Sequence, residues 1–110
     1  MANMSKIFLD LAYFNYVLSN WDVSRVTDMG AMFFEAKSFN QDLSNWDVSR
    51  ATDMAMMFSY ARSFNQDLSV WDVSRVTDMR NMFADASTFR QRLCGEAWLK
   101  SKASKEKMFT

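Results

Sequence analysis

Histidine and proline are absent from this chain, glycine occurs twice and cysteine once. Without histidine there is no imidazole base for a catalytic triad, and no Cys/His zinc set can be assembled. Cys94 has no internal partner for a disulfide. With almost no Gly or Pro, the chain must take its turns from Asn, Asp and Ser. Charge of one sign is also missing: 13 basic residues balance 13 acidic ones, which argues against the basic face that nucleic acid requires. The most apolar run, residues 7–18, is broken by Asp10 and Asn15 and is shorter than the ~20 residues of a membrane-spanning helix. It lacks the basic start and small-residue cleavage site of a secretory signal. Length and composition fit a single soluble globular domain with a modest core.

What is present is repetition. Residues 18–29 return at 43–54 and again at 68–79, a period of 25 residues. On that period the apolar residues fall into columns, among them Trp21, Trp46 and Trp71; Met29, Met54 and Met79; and Phe33, Phe58 and Phe83. A partial first turn (1–17) precedes repeats 18–42, 43–67 and 68–92, and residues 93–110 form a C-terminal cap with a basic helix. Leu43, Trp46 and Val48 end in an alternation that suits a very short strand. Met54, Met57, Phe58 and Ala61 follow the i, i+3, i+4, i+7 stripe of a short helix, with Asp53 placed to cap it. Strand–helix units this small bury their apolar faces only by stacking. The expected fold is therefore α/β: a right-handed leucine-rich-repeat-like solenoid of about four turns, with short parallel strands and short helices. Asn15, Asn40 and Asn65 are placed to satisfy loop amides from turn to turn.

The pattern Leu-x-x-Trp-x-Val-x-x-Val-x-x-Met-x-x-Met-Phe-x-x-Ala-x-x-Phe-Asn-Gln-Asp resembles the BspA-type leucine-rich repeats of mycoplasma and other bacterial surface lipoproteins. The likeness covers residues 3 to 93. The segment 93–99 is similar to the one that ends such arrays in microalgal proteins. This resemblance implies adhesion or protein binding at a cell surface, and it offers no catalytic residues.

The columns Asp22, Asp47, Asp72 and Arg25, Arg50, Arg75 are the sharpest chemical feature. Outward carboxylates on neighbouring turns repel one another unless calcium or the arginines neutralise them. The arginine reading is preferred, so no metal and no cofactor are expected. A uniform acidic column lacks the asymmetric acid pair of a glycosidase. The tryptophans and the six column methionines read as core. The varying positions Phe34, Ser59 and Ala84 read as an outward helix face.

The first turn departs from the others: Tyr13, Tyr16 and Val17 stand where Ser38, Gln41 and Asp42 stand one period later. Together with Phe8 and Leu9 they form an apolar N-terminal edge, expected to bind a protein partner or a second copy. The leading reading is thus a non-enzymatic protein-interaction or adhesion module. The alternatives are a structural spacer subunit, for instance in an algal organellar membrane complex, and more remotely an enzyme acting on polysaccharide.

Overall fold

Backbone turns, one after another, make up each 25-residue layer. The computed structural model describes Leu18 and residues 21–109. In the middle layer, amide-to-carbonyl bonds between residues three apart close turns at 43–46, 48–51, 54–57, 58–61 and 61–64. The two residues that end each turn face inward, and the two between them, apart from the buried Ser59, face outward or lie along the layer.

The layers are joined by a second set of bonds. Met29, Ala31, Phe33 and Glu35 donate their amides to the carbonyls of Asp53, Ala55, Met57 and Ser59, each at 2.9 Å. Met54, Met56, Phe58 and Tyr60 do the same to Asp78, Arg80, Met82 and Ala84 at 2.8–3.0 Å. Every second amide therefore points to the next layer, while those between them close turns within their own. Isolated parallel bridges link Asp28 to Asp53, Asp53 to Asp78 and Asp78 to Ser104.

This arrangement overturns the expected solenoid of strands and helices. Among the described residues the one helix is α1, Glu96–Lys100, and no β-sheet forms. The strand foreseen at Leu43 to Val48 is absent because the amides of Trp46 and Ala51 close turns with Leu43 and Val48. The helix foreseen over 54–61 is absent because alternate amides leave the layer, so the i to i−4 ladder never starts. Left-handed backbone at Met56 (φ 60°) and Tyr60 (φ 59°) also breaks any right-handed helix there.

The same left-handed positions recur in register: Ala31 and Glu35, Met56 and Tyr60, Asn81 and Asp85, then Lys107. Each is the third residue of a closed turn, the place where a type II turn ordinarily takes glycine. None of them is glycine. Glu35→Gly should therefore raise stability by about 1 kcal/mol, by relieving the Cβ clash of a residue at φ 60°. In a helix the same change would cost about 1 kcal/mol. A urea melt reads the sign, and a destabilised variant would refute the turn conformation.

The core consists of the turn ends. Leu43, Val48, Met54, Met57, Phe58, Ala61 and Phe64 are buried, as are their counterparts one layer away in each direction except the partly buried Phe89. The phenylalanine rings stack through the layers, Phe33 on Phe58 at 5.4 Å and Phe58 on Phe83 at 5.5 Å. Phe39, Phe64 and Phe89 form a parallel column. Trp46 and Trp71 are buried, and their indole N–H groups donate to the carbonyls of Leu18 and Leu43, both at 2.9 Å. Trp21 departs from the expected core column at 41% exposure. Ser59 and Ala84 are buried, contrary to the outward face expected of them. In a helix they would lie opposite the apolar stripe, whereas these turns fold them in.

The closing segment also differs from expectation. In place of a basic helix, residues 104–108 form one more rung, accepting the amides of Met79, Asn81 and Phe83 through Ser104, Glu106 and Met108. Phe109 extends the ring column, stacked on Phe83 at 5.5 Å. Among the described residues no helix is long and apolar enough to cross a membrane.

Candidate functional site

Phe8, Leu9, Tyr13, Tyr16 and Val17, the apolar edge expected to bind a partner, lie outside the described residues. Two other features of the surface carry chemistry: the aspartate columns and a cleft beside the closing layer.

Asp22, Asp47 and Asp72 each fold back on their own turn. Their carboxylates accept the amides of Ser24, Ser49 and Ser74 at 3.0 Å. The hydroxyls of Ser24 and Ser49 add bonds of 2.6 Å. Asp42 and Asp67 accept the Ser44 and Ser69 amides at 2.9 Å. These bonds explain the electrostatics. The serine hydroxyl, then the serine amide, holds Asp22, Asp47 and Asp72 below the usual carboxylate range. For Asp42 and Asp67 the amide comes first. Asp78 is lowered chiefly by its hydrogen bond from Arg80.

The arginine column helps only secondarily. Arg25, Arg50 and Arg75 lower the aspartates less than the serines do. Among the described residues the ion pairs are Arg80 with Asp78 at 2.8 Å and Lys100 with Glu96. Serine hydrogen bonds therefore stabilise these charged carboxylates more than the arginine column does. No group of three or more His, Cys, Asp or Glu among the described residues is arranged to hold a metal ion.

Depressed carboxylates fix the sign of the acid response. Their contribution is complete above the usual value near 3.9 and is lost as pH falls through the lower folded values. The melting temperature should stay level from about pH 8 to 5 and drop below about pH 4. Combining Asp22→Asn, Asp47→Asn and Asp72→Asn should flatten that drop, because an amide oxygen still accepts the serine amides but does not titrate. An unchanged acid limb in the triple variant, followed by thermal melts, would rule these aspartates out as its source.

Asn40 and Asn65 bridge the layers as expected, and Asn15 lies outside the described residues. Asn40 accepts the Asn65 amide at 2.9 Å, and Asn65 accepts the Arg90 amide at 3.0 Å. Gln66, in a Phe-Asn-Gln run, and Gln91, in Phe-Arg-Gln, add side-chain bonds to the same asparagines.

The cleft arises from a register change. From Leu93 to Trp98 the chain is two residues longer than from Leu68 to Trp71. Trp98 nevertheless keeps the column bond, donating to the Leu68 carbonyl at 2.8 Å. The extra length is taken up by α1, and Gly95 lets the chain pass the layer below: a Cβ there would lie 1.9 Å from the Ser69 carbonyl oxygen. Residues 96–102 are thereby lifted off residues 69–77, leaving an open cleft of about 900 Å³. Val70, Trp71 and Val76 supply its apolar wall, and Asp72, Arg75, Glu96, Lys100 and Lys102 its charges. Sequence reasoning passed over this site. The signal was Val70, standing where Asn20 and Asn45 stand in earlier repeats. Cys94 is exposed on the surface and is not among the residues that line the cleft.

No curated protein and no solved structure matches the chain. One family model does, over residues 1–110, and the chain belongs to that family, described as DUF285, mycoplasma protein of unknown function.

Proposed function

We propose that this chain is a non-catalytic interaction module that acts at a cell surface by binding a protein. The observation that carries this reading is how six surface aspartates are held, by hydrogen bonds inside their own turns. Asp22, Asp42, Asp47, Asp67, Asp72 and Asp78 are all shifted downward, by hydrogen bonds within their own turns or, for Asp78, from Arg80. A general acid needs the opposite shift, and a retaining or inverting carboxylate pair needs two different environments. These aspartates instead brace the turns that display the surface.

Membership of the mycoplasma family and the BspA-type resemblance support the surface role. Ranks of identical side chains held in register suit an extended contact better than a single reacting centre.

Immobilised chain should retain a partner saturably from a cell-surface protein fraction, and proteolysis of that fraction should abolish retention. The Asp22→Asn, Asp47→Asn, Asp72→Asn variant should retain as much as the parent. A polysaccharide or peptide turned over by the parent chain but not by this variant would overturn the reading in favour of an enzyme.

A further inference from the structure

We propose that the cleft between residues 69–77 and 96–102 binds an extended acidic peptide segment that also carries apolar side chains. This rests on the interaction-module reading and names the class of partner that one site takes.

The charge inventory of the cleft leads to it. Three cations, Arg75, Lys100 and Lys102, face two carboxylates, Asp72 and Glu96. Lys100 is consumed by its ion pair with Glu96. The Asp72 carboxylate is held by the Ser74 hydroxyl and amide and keeps its negative charge, which also acts on Arg75, so the cleft carries a net charge of +1. Arg75 and Lys102 stand in no ion pair among the described residues. The cleft thus keeps an excess of positive charge, which an anionic group placed in it offsets.

The apolar wall selects against a purely ionic ligand. Val70 is 70% exposed at the mouth of the cleft, at a position that is Asn in the preceding repeats. An exposed valine beside these cations fits a chain in which acidic and apolar residues alternate, because an extended backbone turns successive side chains to opposite faces. A sulfated or uronic polysaccharide would satisfy the cations and leave Val70 uncovered. The volume, about 900 Å³, lies toward the upper end of pockets that engulf a ligand, enough for several extended residues.

A fluorescein-labelled peptide of alternating Glu and Val, titrated into the full chain and followed by anisotropy, tests this. Saturable binding is expected, weakened about tenfold in the combined Arg75→Ala, Lys102→Ala variant and several-fold by Val70→Asn. The matching Lys/Val peptide should not bind. All three side chains are exposed, and unchanged melting curves verify that the variants fold. Equal binding of the Lys/Val peptide, or affinity unaffected by the substitutions, overturns the proposal. So does heparin binding that depends on Arg75 and Lys102 while the Glu/Val peptide stays free, which would assign the cleft to a glycan. If the Arg75→Ala, Lys102→Ala variant binds neither probe yet retains its surface protein undiminished, the module reading stands and the acidic segment is not that partner's contact, which overturns the proposal. If the parent binds the peptide but retains no surface protein, the cleft stands and the broader reading fails.

Discussion

Trp46→Ala should lower the stability of the chain by about 3–5 kcal/mol, the cost of deleting a large buried aromatic. The side chain is buried, packs against Phe33 at 6.0 Å and donates its indole N–H to the Leu18 carbonyl at 2.9 Å. That carbonyl keeps the Trp21 amide at 3.0 Å when the indole is removed, so most of the loss comes from the vacated volume. Trp46→Phe separates the two contributions. It retains much of the packing and forfeits the hydrogen bond, worth about 1 kcal/mol. Small domains are stable by only about 5–15 kcal/mol in total, so the alanine variant should lie close to unfolding at physiological temperature. Trp21→Ala should cost less than half as much, since Trp21 is already 41% exposed. Chemical denaturation of the three variants checks the order, and equal losses at positions 21 and 46 would contradict the burial difference.

The columns were legible in the sequence because a fixed period leaves each residue type beneath its own kind. Leu43, Trp46, Val48, Met54, Met57, Phe58 and Phe64 were all readable as core, and they are buried. The conformation between them was not legible, for a specific physical reason. Turns closed over 54–57, 58–61 and 61–64 bury their first and last residues. That places apolar side chains at intervals of three and one, the same intervals that define a helical stripe. Leu43, Trp46, Val48 and Ala51 repeat the device with a spacer between turns, which mimics the end of a strand. Periodicity alone therefore does not separate a helix from a run of three-residue closures.

Glycine would have separated them, and it is missing where it was needed. Left-handed turn positions are normally advertised by Gly or Asn. Here Ala31, Glu35, Met56, Tyr60, Asp85 and Lys107 occupy them, and only Asn81 is the expected type. What holds these residues in a costly conformation is the next layer. The amides of Met56 and Tyr60, for example, each gain a cross-layer bond, and the middle layer is buried on both faces by its neighbours. The stack thus imposes its backbone on residues whose local preference is helical. Of the candidate sites, the cross-layer asparagines were visible and the turn-bracing serines were passed over in favour of arginine, whereas the cleft depends on a two-residue excess that the Trp98 bond reveals.

Because each layer is held by its neighbours, the largest loss should come from the middle of the ring column. Phe58 is fully buried and touches four aromatic rings: Phe64 at 4.2 Å, Phe33 at 5.4 Å, Phe83 at 5.5 Å and Trp71 at 6.4 Å. Phe58→Ala removes one partner from each of them and opens a cavity in contact with three layers. The expected cost is about 3–5 kcal/mol, with up to about 1 kcal/mol more for each ring pair lost. Phe109 sits at the end of the same column, stacked on Phe83 but 62% exposed. Phe109→Ala should therefore cost about 1 kcal/mol or less, because little surface is removed from water there. Phe58→Leu should recover most of the stability, since it conserves bulk and loses chiefly the stacking. In urea the Phe58→Ala midpoint should fall sharply with little change in slope, the mark of a lost native contact and not of a different unfolded state. If Phe58→Ala and Phe109→Ala shift the midpoint equally, the rings do not form a continuous buried column, and the stacking that binds one layer to the next must lie elsewhere.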